Sequence, residues 1–356
     1  MAARTVIELD SVRKTYGDGT VAVKGLSLAV REHEVLALVG PSGCGKSTTL
    51  RMVNRLVEPT SGRILLDGED VTTTDPVALR RRIGYVIQNV GLFPHRTVEA
   101  NIATVPGLLG WDRKRTRARV AELLDLVGLP AATYAKRYPH ELSGGERQRI
   151  GVARALATDP PVLLMDEPFG AVDPEFRRHL QAEFQRIQRE TGTTVILVTH
   201  DIDEAARLGD RIAVLSRGGK LEQIASPLAV LAHPASDRVR DFTGEGAASR
   251  MLALASVQTA DLDGAERIVQ PAPAPVRLGA RLTDAFEAVA ALPGSAMGRV
   301  PVVDQAGDVV GSLTADGILG ALRRAADAAG ADTGVPDAAD GADDVPEDVP
   351  GREPAV

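Results

Sequence analysis

The chain is 356 residues long, more than one ordinary domain of ~150 residues holds, so two units are expected. Hydrophobic residues make up 44% and charged residues 25%, the balance of a globular chain with a real core, while 3% aromatics leaves too few rings for a stacking platform that binds single-stranded nucleic acid. The 41 Lys+Arg against 48 Asp+Glu give a net charge of -7 and no drive toward nucleic acid; the one cysteine, Cys44, cannot close an intrachain disulfide and indicates a reducing compartment.

The stretch from Met1 to Asp10 carries acids and no apolar core, so it does not read as a secretion signal. Val35 to Val39 is apolar throughout, which suits a strand buried on both faces. It runs into Gly40-Pro41-Ser42-Gly43-Cys44-Gly45-Lys46-Ser47 and a helix-like segment from Ser47 to Leu56. Arg80, Arg81 and Arg82 read as a solvated charge run. From about Gln88 to Thr158 the pattern is helical; over Asp112 to Val127 it places Val120, Leu123, Leu124 and Val127 on one face. A further helix is expected from about Glu146 to Ala157, then a strand from Pro161 to Met165. Asp173 is a good N-cap with Pro174 at the first helical position; Phe176, Leu180, Phe184 and Ile187 follow at helical spacing, and Gly192 marks the stop. Thr194 to Val198 and Ile212 to Leu215 complete the apolar runs, and strand–helix alternation predicts an α/β unit with a largely parallel sheet. After Phe242 the composition shifts. Glycines and the Pro271-to-Pro275 alternation suggest a linker over 243–275, followed by a small unit over 276–324 with a helix (Thr283 to Leu292) and two strands (Arg299 to Val303, Val309 to Leu313). From Ala325 the chain is Ala, Asp, Gly and Pro, the composition of a disordered acidic tail over 325–356. No apolar run reaches the ~20 residues of a membrane-spanning helix, so any membrane segment is expected on another chain.

Three segments carry chemistry. The glycine-rich loop matches G-x-x-x-x-G-K-[ST] between a strand and a helix, the context in which backbone N–H groups and a helix start converge on phosphates. Lys46 supplies a full positive charge for the terminal phosphates and Ser47 a hydroxyl for Mg²⁺. The run Val162 to Glu167 is an apolar strand ending in two acids: Asp166 would hold Mg²⁺, and Glu167 would orient or deprotonate an attacking water. Leu142-Ser143-Gly144-Gly145-Glu146 opens a second helix start able to meet an anion, and a second half-site of this kind fits a dimer in which each copy completes the other's ATP site.

The order of phosphate loop, Gln88, Leu-Ser-Gly-Gly-Glu, Asp166-Glu167 and His200 resembles the nucleotide-binding subunits of ABC transporters over about Val6 to Phe242. The resemblance implies a P-loop ATPase cassette over 1–242, with a mostly parallel sheet, an antiparallel β portion and a helical subdomain at about 89–158. It implies that Tyr16 stacks on adenine, and that residues Gly40 to Ser47 with Thr48 hold the phosphates. Ser143, Gly144, Gly145 and Glu146 would clasp the partner's ATP, with Asp173 at the dimer interface. Gln88 would sense Mg²⁺ and link to the permease; with Ser47 and Asp166 it makes up the Mg²⁺ set. His200 would contact the γ-phosphate, and Lys46, Gln88, Glu167 and His200 would carry ATP hydrolysis. Glu146 stands where the family often has Gln, and Gly170-Ala171-Val172-Asp173 replaces the common Ser-Ala-Leu-Asp.

Ile83 to His95, Val105 to Trp111 and Thr199 to Ala205 resemble the ATPase subunits of osmoprotectant importers, which handle glycine betaine, carnitine, choline or proline betaine. The expected setting is the cytoplasmic face of the membrane, with a permease and, indirectly, an extracytoplasmic solute-binding protein. Leu92 and Phe93, taken as exposed, would meet the permease. Importers of another small solute, such as an amino acid or a sulfonate, and non-transport ABC ATPases are the alternatives. Val302-Val303-Asp304, Gly307, Gly311 and Leu313-Thr314 resemble the end of one CBS motif, in degenerate form: Gly317 occupies the usual acid's place and Asp316 lies one residue early.

Overall fold

The computed structural model describes residues 4–87, 91–170, 172–264, 274–292 and 298–330. Two long strands, β1 (Thr5–Thr15) and β2 (Val21–Arg31), pair antiparallel, and β3 (Val35–Val39) enters a second sheet. The glycine loop leads into α1 (Lys46–Val53); β4 (Ser61–Leu66) and the short β5 (Glu69–Asp70) then complete a four-stranded sheet in the order β2-β1-β4-β5. α2 (Pro76–Arg82) and β6 (Ile83–Val86) lead to the helical layer: α3 (Val98–Ile102), α4 (Thr104–Leu108), α5 (Arg113–Leu126), α6 (Ala131–Tyr134) and α7 (Gly144–Ala155). The chain returns through β7 (Val162–Asp166), α8 (Pro174–Thr191), β8 (Thr194–Val198), α9 (Ile202–Leu208), β9 (Arg211–Ser216) and β10 (Lys220–Ala225).

The larger sheet has the order β10-β9-β3-β8-β7-β6. β9, β3, β8, β7 and β6 run parallel and β10 closes one edge antiparallel. Every residue of β3, β7 and β8 is buried, which is why these strands read as unbroken apolar runs. One core joins the two sheets around Ile7, Leu36, Leu50 and Ile196. A second packs the helical layer on the other face through Leu123, Ile150, Phe169 and Phe184. α8 ends as its pattern requires: Gly192 adopts φ 64°, a left-handed cap that costs glycine little.

The last part departs from the sequence expectation. After α10 (Pro227–Ala232) and α11 (Asp237–Thr243), the expected linker over 243–275 instead contains α12 (Ala247–Leu254) and a 3₁₀ turn at Thr259–Asp261, while 265–273 lie outside the described residues. Met251, Leu252, Ala255 and Val257 explain it. They pack into the core of the small C-terminal unit, so this stretch is structural. That unit has a three-stranded sheet, β11 (Val276–Arg277), β12 (Arg299–Val303) and β13 (Val309–Thr314), covered by α13 (Leu282–Ala290) and α14 (Ala315–Gly330). α14 runs six residues past the expected start of the acidic tail because Ala325 and Ala329 still pack on apolar neighbours; 331–356 lie outside the described residues. The arginine run is also not simply solvated. Arg80 donates to the carbonyls of Asn54 and Arg55, and Arg82 pairs with Asp67 and Glu69.

Candidate nucleotide site

Parallel strands align their C-terminal ends, and here the alignment is in register. Leu38 of β3 pairs with Val198 of β8, and Val198 with Asp166 of β7. The segments that follow, Gly40 to Ser47, His200 and Glu167, therefore emerge side by side at one edge. An open α/β sheet places its ligand crevice at such strand ends.

The loop after β3 turns through Gly40 (φ 145°), Gly43 (φ 76°) and Gly45 (φ 108°). At Gly45 a Cβ would stand 2.6 Å from the Ala22 carbonyl, so the close approach of β2 as well as the left-handed backbone demands glycine. Lys46 is 7% exposed and its Nζ donates to the carbonyls of Gly40 (2.7 Å) and Pro41 (3.0 Å). The ammonium thus sits curled over the loop it opens. Cys44 is buried beneath, its Sγ 3.7 Å from Lys46 Nζ. Thr49 Oγ1 returns to the Gly45 carbonyl and fastens the first turn of α1.

Ser47 Oγ donates to Asp166 Oδ1 at 2.8 Å across 119 residues of sequence. Asp166 is 1% exposed, and burial raises its carboxyl above the usual carboxylate range. Two hard oxygens meet at one part-buried point, and among the described residues no cation makes an ion pair with the acid, although Arg51 and Lys46 act on it at longer range. That donor set fits a divalent cation which takes one or two protein oxygens and fills its remaining positions from phosphates and water. Gln88, the other expected metal contact, lies outside the described residues.

Glu167 follows with φ 48°, a left-handed conformation uncommon outside glycine, held by its N–H to the Val198 carbonyl (2.9 Å). Its Oε1 lies 3.4 Å from His200 Nδ1. Behind His200 stands a network that sequence reasoning passed over. The Thr199 hydroxyl donates to Glu204, Gln181 Nε2 donates to the other Glu204 oxygen (3.1 Å), and the Asp201 N–H donates to Thr199 Oγ1. Burial holds the Glu204 carboxyl above its usual range. The one legible signal was Asp201 capping α9 three residues ahead of Glu204.

The second helix start is separate from these groups and built into the helical layer. Ser143 caps α7: its Oγ accepts from the Glu146 N–H, and Glu146 Oε2 accepts from the Ser143 N–H at 2.7 Å. Glu146 Oε1 accepts from the Tyr134 hydroxyl at 2.8 Å. The Ser143 N–H holds the Glu146 carboxyl below its ordinary range. Glu146 is expected from sequence to clasp nucleotide, yet here its carboxylate is engaged in its own cap, which explains a Glu at this place. Ser143 and Gly144 remain exposed. Asp173 caps α8, accepting from the Phe176 N–H at 2.9 Å. Tyr16 is 38% exposed in the turn after β1, with Lys14 Nζ 5.2 Å from its ring centroid. Phe93 is exposed as expected, but Leu92 packs on the helical core.

Residues 23–170 match the ABC transporter family. The chain is 51% identical over 240 residues to the glycine betaine/carnitine/choline transport ATP-binding protein of Bacillus subtilis, covering 67% of this chain and 63% of that one, just under two thirds of the relative's length. It is 51% identical over 253 residues to the glycine betaine uptake system ATP-binding protein of Escherichia coli, covering 71% of this chain and 81% of the relative. This chain belongs to the ATP-binding proteins of ABC transporters. A solved ABC cassette, a dimer in a post-hydrolysis state bound to ADP and phosphate, superposes with a TM-score of 0.58 at 34% identity, over 62% of this chain and 98% of that one. The ABC ATPase fold thus accounts for the two sheets and the helical layer. Among the described residues no helix is long and apolar enough to cross a membrane.

Proposed function

We propose that this chain is the ATP-hydrolysing subunit of an importer for osmoprotectants of the glycine betaine, choline and carnitine class, acting as a dimer on the cytoplasmic face of a permease. The observation that carries the catalytic part is the meeting of Ser47 with Asp166, and of Glu167 with His200, at one sheet edge. The loop N–H groups and Lys46 bind the phosphates of ATP, with Tyr16 against the base. Lys46 exchanges its two carbonyl partners for phosphate oxygens, a stronger charge-assisted contact. Ser47 and Asp166 would hold Mg²⁺, which supplies charge neutralisation at the phosphates. Glu167 accepts the proton of a water in line with the terminal phosphorus; the P–O bond to the leaving diphosphate breaks as the new P–O bond forms. His200, set by the Glu204 network behind it, contacts the transferring group. Ser143, Gly144 and Gly145 of a second copy close the site, so nucleotide joins two chains and hydrolysis releases them.

Glu167→Gln should keep ATP binding and lower steady-state turnover by ~10²–10⁴-fold, the usual loss of a general base. Turnover within about threefold of wild type would overturn the assignment. The solute is tested with permease and binding protein in vesicles. ATPase stimulation by glycine betaine or choline supports the reading, and stimulation by an amino acid or sulfonate alone rejects it.

A further inference from the structure

Between the ATPase unit and the C-terminal unit lies an open groove formed by two adjoining cavities of about 520 and 300 Å³. One wall is α8 and α9; the other is the end of α12 and the start of α13. Its charge is positive in balance, five arginines against Asp203, Asp210 and Asp284, and Asp203 and Asp210 are already engaged, with Arg250 and with the Val35 N–H. Arg178, Arg207, Arg250 and Arg281 line the larger cavity, and Arg189 joins Arg207 and Arg281 in the smaller. Arg250 pairs with Asp203 at 2.6 Å, and Arg281 donates to the Ala253 carbonyl. Arg178, Arg189 and Arg207 are exposed, and their guanidinium groups make no hydrogen bond or ion pair among the described residues. Thr283, on the wall of the larger cavity, has a buried hydroxyl without a partner among the described residues. Guanidinium groups gathered this way repel one another unless an anion enters.

The chain itself carries such an anion. Residues 331–356 hold eight acids (Asp332, Asp337, Asp340, Asp343, Asp344, Glu347, Asp348, Glu353) against the single Arg352. α14 delivers them close by. His233, at the C-terminal cap of α10, bonds to the Ala326 carbonyl at 2.9 Å, and a Cβ at Gly330 would lie 3.1 Å from the same ring nitrogen. The opposite end of α10, Ser226 to Leu228, lines the smaller cavity. The distance is the length of a six-residue helix, ~9 Å, whereas 26 residues reach ~85 Å extended.

We propose that the acidic segment 331–356 seats in the arginine groove of its own chain. Its carboxylates take the free guanidinium groups of Arg178, Arg189 and Arg207 as bidentate or single charge-assisted partners. The seat bridges both units. It bears on α8 and α9, the helices that begin at Asp173 and Asp201, so the tail links the C-terminal unit to the two helices flanking the nucleotide edge.

The test uses full-length chain carrying Arg178→Lys or Arg207→Lys, which keeps the charge and supplies an amine. Zero-length carbodiimide coupling joins an amine only to a carboxylate in contact with it, and mass spectrometry reads the joined peptides. Equal mixtures of light and heavy isotope-labelled protein separate links within a chain from links between chains. The expected result is joining of position 178 or 207 to acids of 331–356 within one chain at about 0.1 M salt, falling about fivefold or more at about 1 M, where the screening length drops from ~10 to ~3 Å. The exposed Lys114 and Lys136 on the helical layer should join the tail far less. With Arg189→Lys as reporter, Arg178→Glu together with Arg207→Glu should cut its yield about fivefold through like-charge repulsion of the tail. Equal joining at Lys114 and Lys136, links found only between chains, or a reporter yield unchanged by the two reversals would each overturn the proposal.

Discussion

Glu146→Ala probes the cap that organises the second helix start. The substitution removes two acceptors at once, the one for the Ser143 N–H at 2.7 Å and the one for the Tyr134 hydroxyl at 2.8 Å. A hydrogen bond to a charged group contributes ~1.5–3 kcal/mol when well buried, and an N-cap ~0.5–2 kcal/mol. Glu146 is only partly buried, so each contact is discounted for screening and the sum is ~2 kcal/mol. For a unit of 150–250 residues that corresponds to a midpoint lower by ~4–8 °C. Glu146→Gln keeps a carbonyl for the Ser143 N–H and turns an amide toward Tyr134, so its loss should be under ~1 kcal/mol. The pH dependence separates charge from shape. The carboxyl sits below its unfolded value in the folded state, so its contribution is complete above the ordinary Glu range and disappears as pH falls through the lowered folded value. The gap between wild type and Glu146→Gln should therefore close in acid. Thermal melts of the three proteins across pH, with urea titrations for the slope, provide the assay. A midpoint for Glu146→Ala within about 1 °C of wild type, or a Gln variant as unstable as the Ala variant, would refute the reasoning.

Gly45→Ala should abolish nucleotide binding and destabilise the fold by ~1–3 kcal/mol, because a Cβ at φ 108° meets the Ala22 carbonyl at 2.6 Å; equilibrium dialysis with labelled ATP plus a urea melt checks it. Glu204→Gln removes a buried acid whose folded value is raised. Wild-type stability from this group is full below the ordinary Glu range and falls as pH rises toward the folded value, so the variant should gain on wild type over that rise and lose the slope, read as urea midpoints at about pH 4 and pH 8. A steeper slope in the variant would contradict the assignment.

Much of this architecture was legible from periodicity. Val35 to Val39, Thr194 to Val198 and the helix from Pro174 to the Gly192 stop stand where the apolar runs and caps put them. Signals failed where burial comes from partners far along the chain. Residues 243–264 look glycine- and alanine-rich, yet Met251, Ala255 and Val257 fill a core whose other half lies beyond residue 275. β4 pairs with β1 across an interval that holds β2, β3 and α1 and carries no local mark of the pairing. At the site, Ser47, Asp166 and Glu167 were readable because they fall inside short motifs. The Thr199–Glu204–Gln181 network was not, since Gln181 reaches it from another helix. The cap role of Glu146 was hidden because helix starts that bind anions and helix starts that cap themselves use the same residue types.

The shared row of Leu38, Val198 and Asp166 makes hydrogen-bond register the gauge of the whole nucleotide edge. Sliding β8 by two residues would restore every apolar contact type while carrying His200 ~6.6 Å from Glu167. Insertions are then tolerable in the exposed turn at 17–20, whereas one residue gained or lost within β8 would exchange the side chains facing its two cores and displace His200 from Glu167. Strand length constrains drift in this chain alongside the glycines of the phosphate loop.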